Sequence, residues 1–150
     1  MKEQTKGTGA IDQSVVEDGD GILTIRGGGP GRGWNGIQYQ QGMSGKNVGS
    51  EALSINVARV PPGAIAYAHI HDGFEVMLFI LQGTVKHMYG EGLTKEIINH
   101  AGDFIYIKSG VPHEVFNIGD DEVIAFVARS AADEWDKIIN YPSEYRPKDE

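Results

Sequence analysis

The chain has 150 residues, enough for one domain with its own core, and no Cys, which excludes disulfides, thiolate zinc sites and a cysteine nucleophile. Its 13 Lys and Arg face 21 Asp and Glu, and a net charge of -8 does not suit a polyphosphate backbone, so no nucleic-acid partner is expected. Gly is the outlier at 21 residues, roughly twice its ordinary share of about 7%, and this points to many short strands rather than a helix bundle.

Residues 1–20 are polar and mixed in charge and read as an arm. Residues 21–27 alternate weakly and predict a first strand. Six Gly then fall within residues 27–36, which predicts a loop. Gly31-Arg32-Gly33-Trp34-Asn35-Gly36 matches the dinucleotide fingerprint, but a strand pattern follows it where a helix is required, so no such cofactor is expected. Strands are predicted over 37–41, 52–60, 65–71, 74–82, 84–90, 95–99, 103–108, 113–118 and 122–129. Gly or Pro stands at most breaks, the mark of an all-β sandwich or barrel.

The end of the chain predicts a short helix: Ser130 and Asp133 resemble a capping box, Trp135, Ile138 and Ile139 share a helical face, and Pro142 stops it. The expected organisation is an arm and Gly-rich loop over 1–36, a β-barrel over 37–130, and a helix and tail over 131–150. The longest apolar runs, 76–81 and 123–128, fall far short of the ~20 residues that span a bilayer. With no apolar leader at the start, a soluble cytoplasmic chain with no membrane partner is expected.

Three histidines carry the chemistry. His69 and His71 lie two apart in a strand pattern and so share a face. Glu75 opens the next strand, and His113 opens a distant one after Pro112. Two imidazoles, a carboxylate and a third imidazole make a set of divalent-metal ligands.

The framework around them resembles the cupin superfamily, whose first motif runs Gly, five residues, His-x-His, three or four residues, Glu, about six residues, Gly. Here Gly63 is followed after five residues by His69-Ile70-His71, after three more by Glu75, and after seven by Gly83. The second motif has Gly, five residues, Pro-x-Gly, two residues, His, three residues, Asn. Gly102, Lys108-Ser109-Gly110, His113 and Asn117 follow it, with Lys108 where Pro is usual. Among cupins the chain resembles the small single-domain, RmlC-like members.

The resemblance implies an antiparallel double-stranded β-helix, or jelly roll. It also implies one six-coordinate divalent ion per subunit, iron, manganese, nickel, zinc or copper, held by His69, His71, Glu75 and His113. Strand parity then places Ile65 and Tyr67 inward with the two histidines, Met77, Phe79 and Leu81 inward with Glu75, and Val115 and Asn117 inward with His113. His87 shares a face with Val85 and Tyr89; with Tyr67 it is the candidate for proton transfer, whereas His100 is expected at the surface.

Residues 76–81 are apolar on both parities, so both faces need cover. Val76, Leu78 and Ile80 are expected outward, against a second subunit of a homodimer. The function expected is a metal-dependent enzyme on a small organic molecule, either an Fe(II)-type dioxygenase or a Lewis-acid isomerase, lyase or decarboxylase. The alternative is a non-catalytic binding or sensing protein for a small-molecule ligand.

Overall fold

Residues 2–5, 14–17, 20–28, 31–133 and 137–148 are described by a computed structural model. In the arm, β1 (Lys2–Thr5), β2 (Ser14–Glu17) and β3 (Leu23–Ile25) form a three-stranded antiparallel sheet. The strands that follow are β4 (Gly31–Trp34), β5 (Ile37–Met43), β6 (Ser54–Val60), β7 (Ile65–His71), β8 (Val76–Gln82) and β9 (Thr84–Tyr89). After them come β10 (Lys95–His100), β11 (Phe104–Ile107), β12 (His113–Asn117), β13 (Val123–Arg129) and β14 (Ile138–Asn140), and a single helical turn, α1 (Gly45–Val48), leads from β5 toward β6. Two antiparallel sheets result, ordered β10-β9-β12-β7-β14 and β11-β8-β13-β6-β5-β4.

Their inner faces share one core. Ile37, Tyr39, Ala58, Val60, Val76, Ile80, Val123, Ala125 and Val127 come from the six-stranded sheet, and Ala66 and Val85 from the other. This is the expected all-β jelly-roll barrel. Among the described residues no helix is long and apolar enough to cross a membrane.

The structure corrects four expectations. The Gly-rich stretch is not all loop: β4 pairs with β5, Trp34 opposite Ile37, across a two-residue turn. Asn35 (φ 54°) and Gly36 (φ 89°) both take the left-handed conformation that such a turn requires, which is why Asn-Gly favours it.

The predicted C-terminal helix is instead extended over Ile138–Asn140, while Trp135 lies outside the described residues. The edge of β7 needs a partner, and β14 supplies it, Ile138 opposite His71 and Asn140 opposite His69. Ser130 does not cap a helix; its hydroxyl accepts from the Glu75 N–H, and its own N–H donates to the Glu75 carbonyl.

The third correction is the parity of β8. Val76, Leu78 and Ile80 line the interior, while Met77 and Leu81 are exposed, the reverse of the expectation. Gly83 anchors the register, because a Cβ there would sit 2.9 Å from a Val123 methyl and 3.1 Å from the Glu122 carbonyl oxygen. Six residues separate Gly83 from Val76, so Val76 holds the place the motif gives to Glu. Side chains alternate with period two, so that single residue moves Glu75 to the outer face.

The fourth is Tyr67. A bulge shifts the β7–β12 register between Val115 opposite Ala66 and His113 opposite His69. Ala66 and His69 therefore both face the cavity, and Tyr67 does not line it. Its ring packs instead beside Gly36 and under the Arg146 guanidinium, 5.7 Å from the ring centroid.

Candidate metal centre

β7 delivers His69 and His71 to the interior, and the first residue of β12 delivers His113 opposite them. The turn before His113 forms without the usual Pro: the Val111 N–H donates to the Lys108 carbonyl, and the Gly110 N–H donates to the His71 carbonyl at 2.9 Å. That second bond ties the loop carrying His113 to the strand carrying His71.

One ring nitrogen from each of these three buried histidines lies within 4.8 Å of the others. The ring centroids are 4.4 to 4.9 Å apart. Backbone carbonyls orient two of the rings. His69 Nδ1–H donates to Tyr67 O at 2.7 Å and His113 Nδ1–H to Val111 O at 2.9 Å, which leaves Nε2 of each with its lone pair. Asn35 Nδ2 also donates to Tyr67 O, fixing the carbonyl that orients His69. The Trp34 ring meets His69 edge-on at 5.4 Å, and Phe74 stacks on His71 at 5.1 Å. His71 Nδ1 is buried without a protein partner.

The electrostatics keep the cluster neutral. Burial, the nearby His113 and the Arg129 guanidinium push His71 down to about 2. Burial takes His113 to about 4, against the bond to Val111 that favours its charged form. His69 is lowered by burial, then by His113 and His71. Unprotonated imidazoles with oriented lone pairs, one of them carrying an orphaned nitrogen, fit a divalent transition metal.

Glu75 does not join them. It is exposed, and its Oε1 accepts the hydroxyl hydrogen bond of Tyr106 on the outer face. No acidic side chain lines the interior among the described residues. His87 does face inward, buried, with its ring 6.5 Å from that of His113 and neither ring nitrogen partnered. Burial, then His113, lowers it to about 3. His100 is exposed at the end of β10, as expected.

Sequence reasoning missed Arg129, which is buried in the cavity lining and donates through Nη1 to Asn56 Oδ1. The signal was present: Val123, Ala125, Val127 and Arg129 share one parity of β13, and the first three are core.

An antiparallel two-sheet barrel with histidines converging in its interior is the class of protein the fold and site define. Residues 56–129 match the cupin domain family. A germin-like protein 8-14 from Oryza sativa subsp. japonica is 28% identical over 102 residues, 65% of this chain and 48% of that protein. Among solved structures, a Bacillus subtilis oxalate decarboxylase with Mn(II) centres superposes with a TM-score of 0.63 at 18% identity, over 73% of this chain and 29% of that one. The polyketide cyclase RemF from Streptomyces resistomycificus gives 0.60 at 17%, over 72% and 73%. The chain thus spans about half of the germin-like protein and under a third of the decarboxylase. The family match covers residues 56–129, just under half of the chain, and the likeness to these solved structures is one of fold.

Proposed function

We propose that His69, His71 and His113 hold one divalent transition-metal ion and that the chain is a metal-dependent enzyme acting on a small organic molecule. The observation that carries this is the convergence of three buried, neutral imidazoles within 4.8 Å, in a cavity that no carboxylate lines among the described residues. A metal bound there supplies Lewis acidity or, as iron, a site for oxygen chemistry. The chain's own contributions are binding and proton handling. Trp34 and Phe74 hold the His69 and His71 rings, the apolar walls exclude water, and His87 is the inward group free to hold or pass a proton. Tyr67 is absent from the cavity lining and has no part in that task in this reading.

The same reading takes the chain as a homodimer. What supports it is the outer face of the six-stranded sheet, where Met77, Leu81 and Phe126 stand exposed together. The need for cover on both faces of β8 remains, with the opposite residues providing it.

Cobalt(II) titration of metal-free protein tests the site. The expected result is visible bands saturating at one ion per chain, lost in both His69→Ala and His113→Ala. Bands that survive both substitutions contradict the proposal.

A further inference from the structure

The 31–36 motif, which no nucleotide explains, has a use at the edge of β7. That strand pairs with β12 on one side and β14 on the other, but Tyr67 falls outside both registers. The bulge against β12 skips it, and the pairing with β14 ends at His69. A main-chain N–H and C=O left without ladder partners must find others.

Asn35 supplies both. Its carbonyl accepts from the Tyr67 N–H at 3.2 Å, and its side-chain Nδ2 donates to the Tyr67 carbonyl at 2.7 Å. One residue in a turn thus stands in for a strand. The turn comes this close because residue 36 is Gly: a Cβ there would lie 3.1 Å from the Tyr67 ring.

The same Tyr67 carbonyl takes the His69 Nδ1–H at 2.7 Å. Its two lone pairs are then both engaged, one by Asn35 and one by His69. A carbonyl oxygen only accepts, so this contact puts the proton of neutral His69 on Nδ1 and leaves Nε2 for a metal. Asn35 Nδ2 itself stands 3.3 Å from His69 Nδ1. His113 is held differently: its Nδ1–H donates to Val111 O, and the Val111 N–H is bonded to the Lys108 carbonyl.

We propose that Asn35 is a positioning residue for the metal: by holding the Tyr67 carbonyl it keeps His69 in the Nδ1–H form, with Nε2 available as a ligand. The inference rests on the three-histidine reading above and adds to it a residue, outside the ligand set, on which affinity depends. Loss of a group that orients a metal-ligating histidine costs about 10–100-fold in affinity.

Asn35→Gly isolates the side chain, because Gly-Gly also suits a turn with positive φ at both positions and the residue 35 carbonyl is retained. Two readouts are needed: cobalt(II) affinity, and long-range 1H–15N NMR spectra of metal-free protein at pH 7.5, which show which nitrogen of each histidine carries the proton. Wild type should show Nδ1–H at both His69 and His113. In Asn35→Gly, His69 should admit the Nε2–H form while His113 keeps Nδ1–H, and cobalt affinity should fall about tenfold or more. His113 is the internal reference, since general loosening or unfolding would move both rings. Wild-type His69 protonated on Nε2 overturns the inference before any variant is made. A cobalt affinity of Asn35→Gly within about threefold of wild type also overturns it. So does a shift of both histidines together, which marks a purely structural turn. Absence of cobalt bands from wild-type protein overturns the three-histidine reading, and the inference with it.

Discussion

At the scale of single residues, one position decides the character of the site. Glu75 and Val76 are neighbours, and the seven-residue spacing to Gly83 puts Val76, not the carboxylate, on the inner face. The cluster that remains is all imidazole, and its stability depends on pH with a definite sign. Burial lowers His71 to about 2, His87 to about 3 and His113 to about 4. The unfolded chain takes up these protons near pH 6.5, before the folded chain does. Stability of the metal-free protein is therefore full above about pH 6.5 and falls as the pH drops below it, by about 1.4 kcal/mol per pH unit for each histidine. Urea unfolding of metal-free protein at pH 7.5 and 5.5 checks this; equal midpoints contradict the burial of these rings as neutral groups.

At the scale of elements, period-two alternation and Gly or Pro breaks made the barrel strands legible, and β7 falls on its predicted residues 65–71. The failures were of register and pairing, which depend on distant partners. The bulge that turns Tyr67 away is set by β12, and the anchoring of Gly83 by Val123. The last segment has the spacing of a helix, yet its residues complete the open edge of β7, where tertiary pairing outweighs local pattern. His69, His71 and His113 were legible because fixed spacings carried them, whereas the inward Arg129 was overlooked although its parity announced it. The β4–β5 hairpin makes a direct test. Gly36 has φ 89°, and a Cβ there would lie 2.2 Å from the Ile65 carbonyl oxygen. Gly36→Ala should lower unfolding free energy by at least about 2 kcal/mol. A urea midpoint unchanged from wild type contradicts the turn as described.

At the scale of the whole molecule, the two sheets divide the work. Their inner faces form the core and the histidine site, and the outer face of the six-stranded sheet carries exposed Met77, Leu81 and Phe126. The proposed dimer buries that face. Light scattering should give twice the 16.3 kDa of one chain, and Phe126→Glu should return it to a monomer; a wild-type monomer at micromolar concentration contradicts the subunit contact. The central claim is a metal held by three histidines without Glu75. Elemental analysis tests it most directly, on protein purified with neither a His tag nor added metal, beside Glu75→Gln and His113→Ala. The account predicts about one divalent transition-metal ion per chain in wild type and in Glu75→Gln, and far less in His113→Ala. Metal lost from Glu75→Gln, or kept in full by His113→Ala, would contradict it.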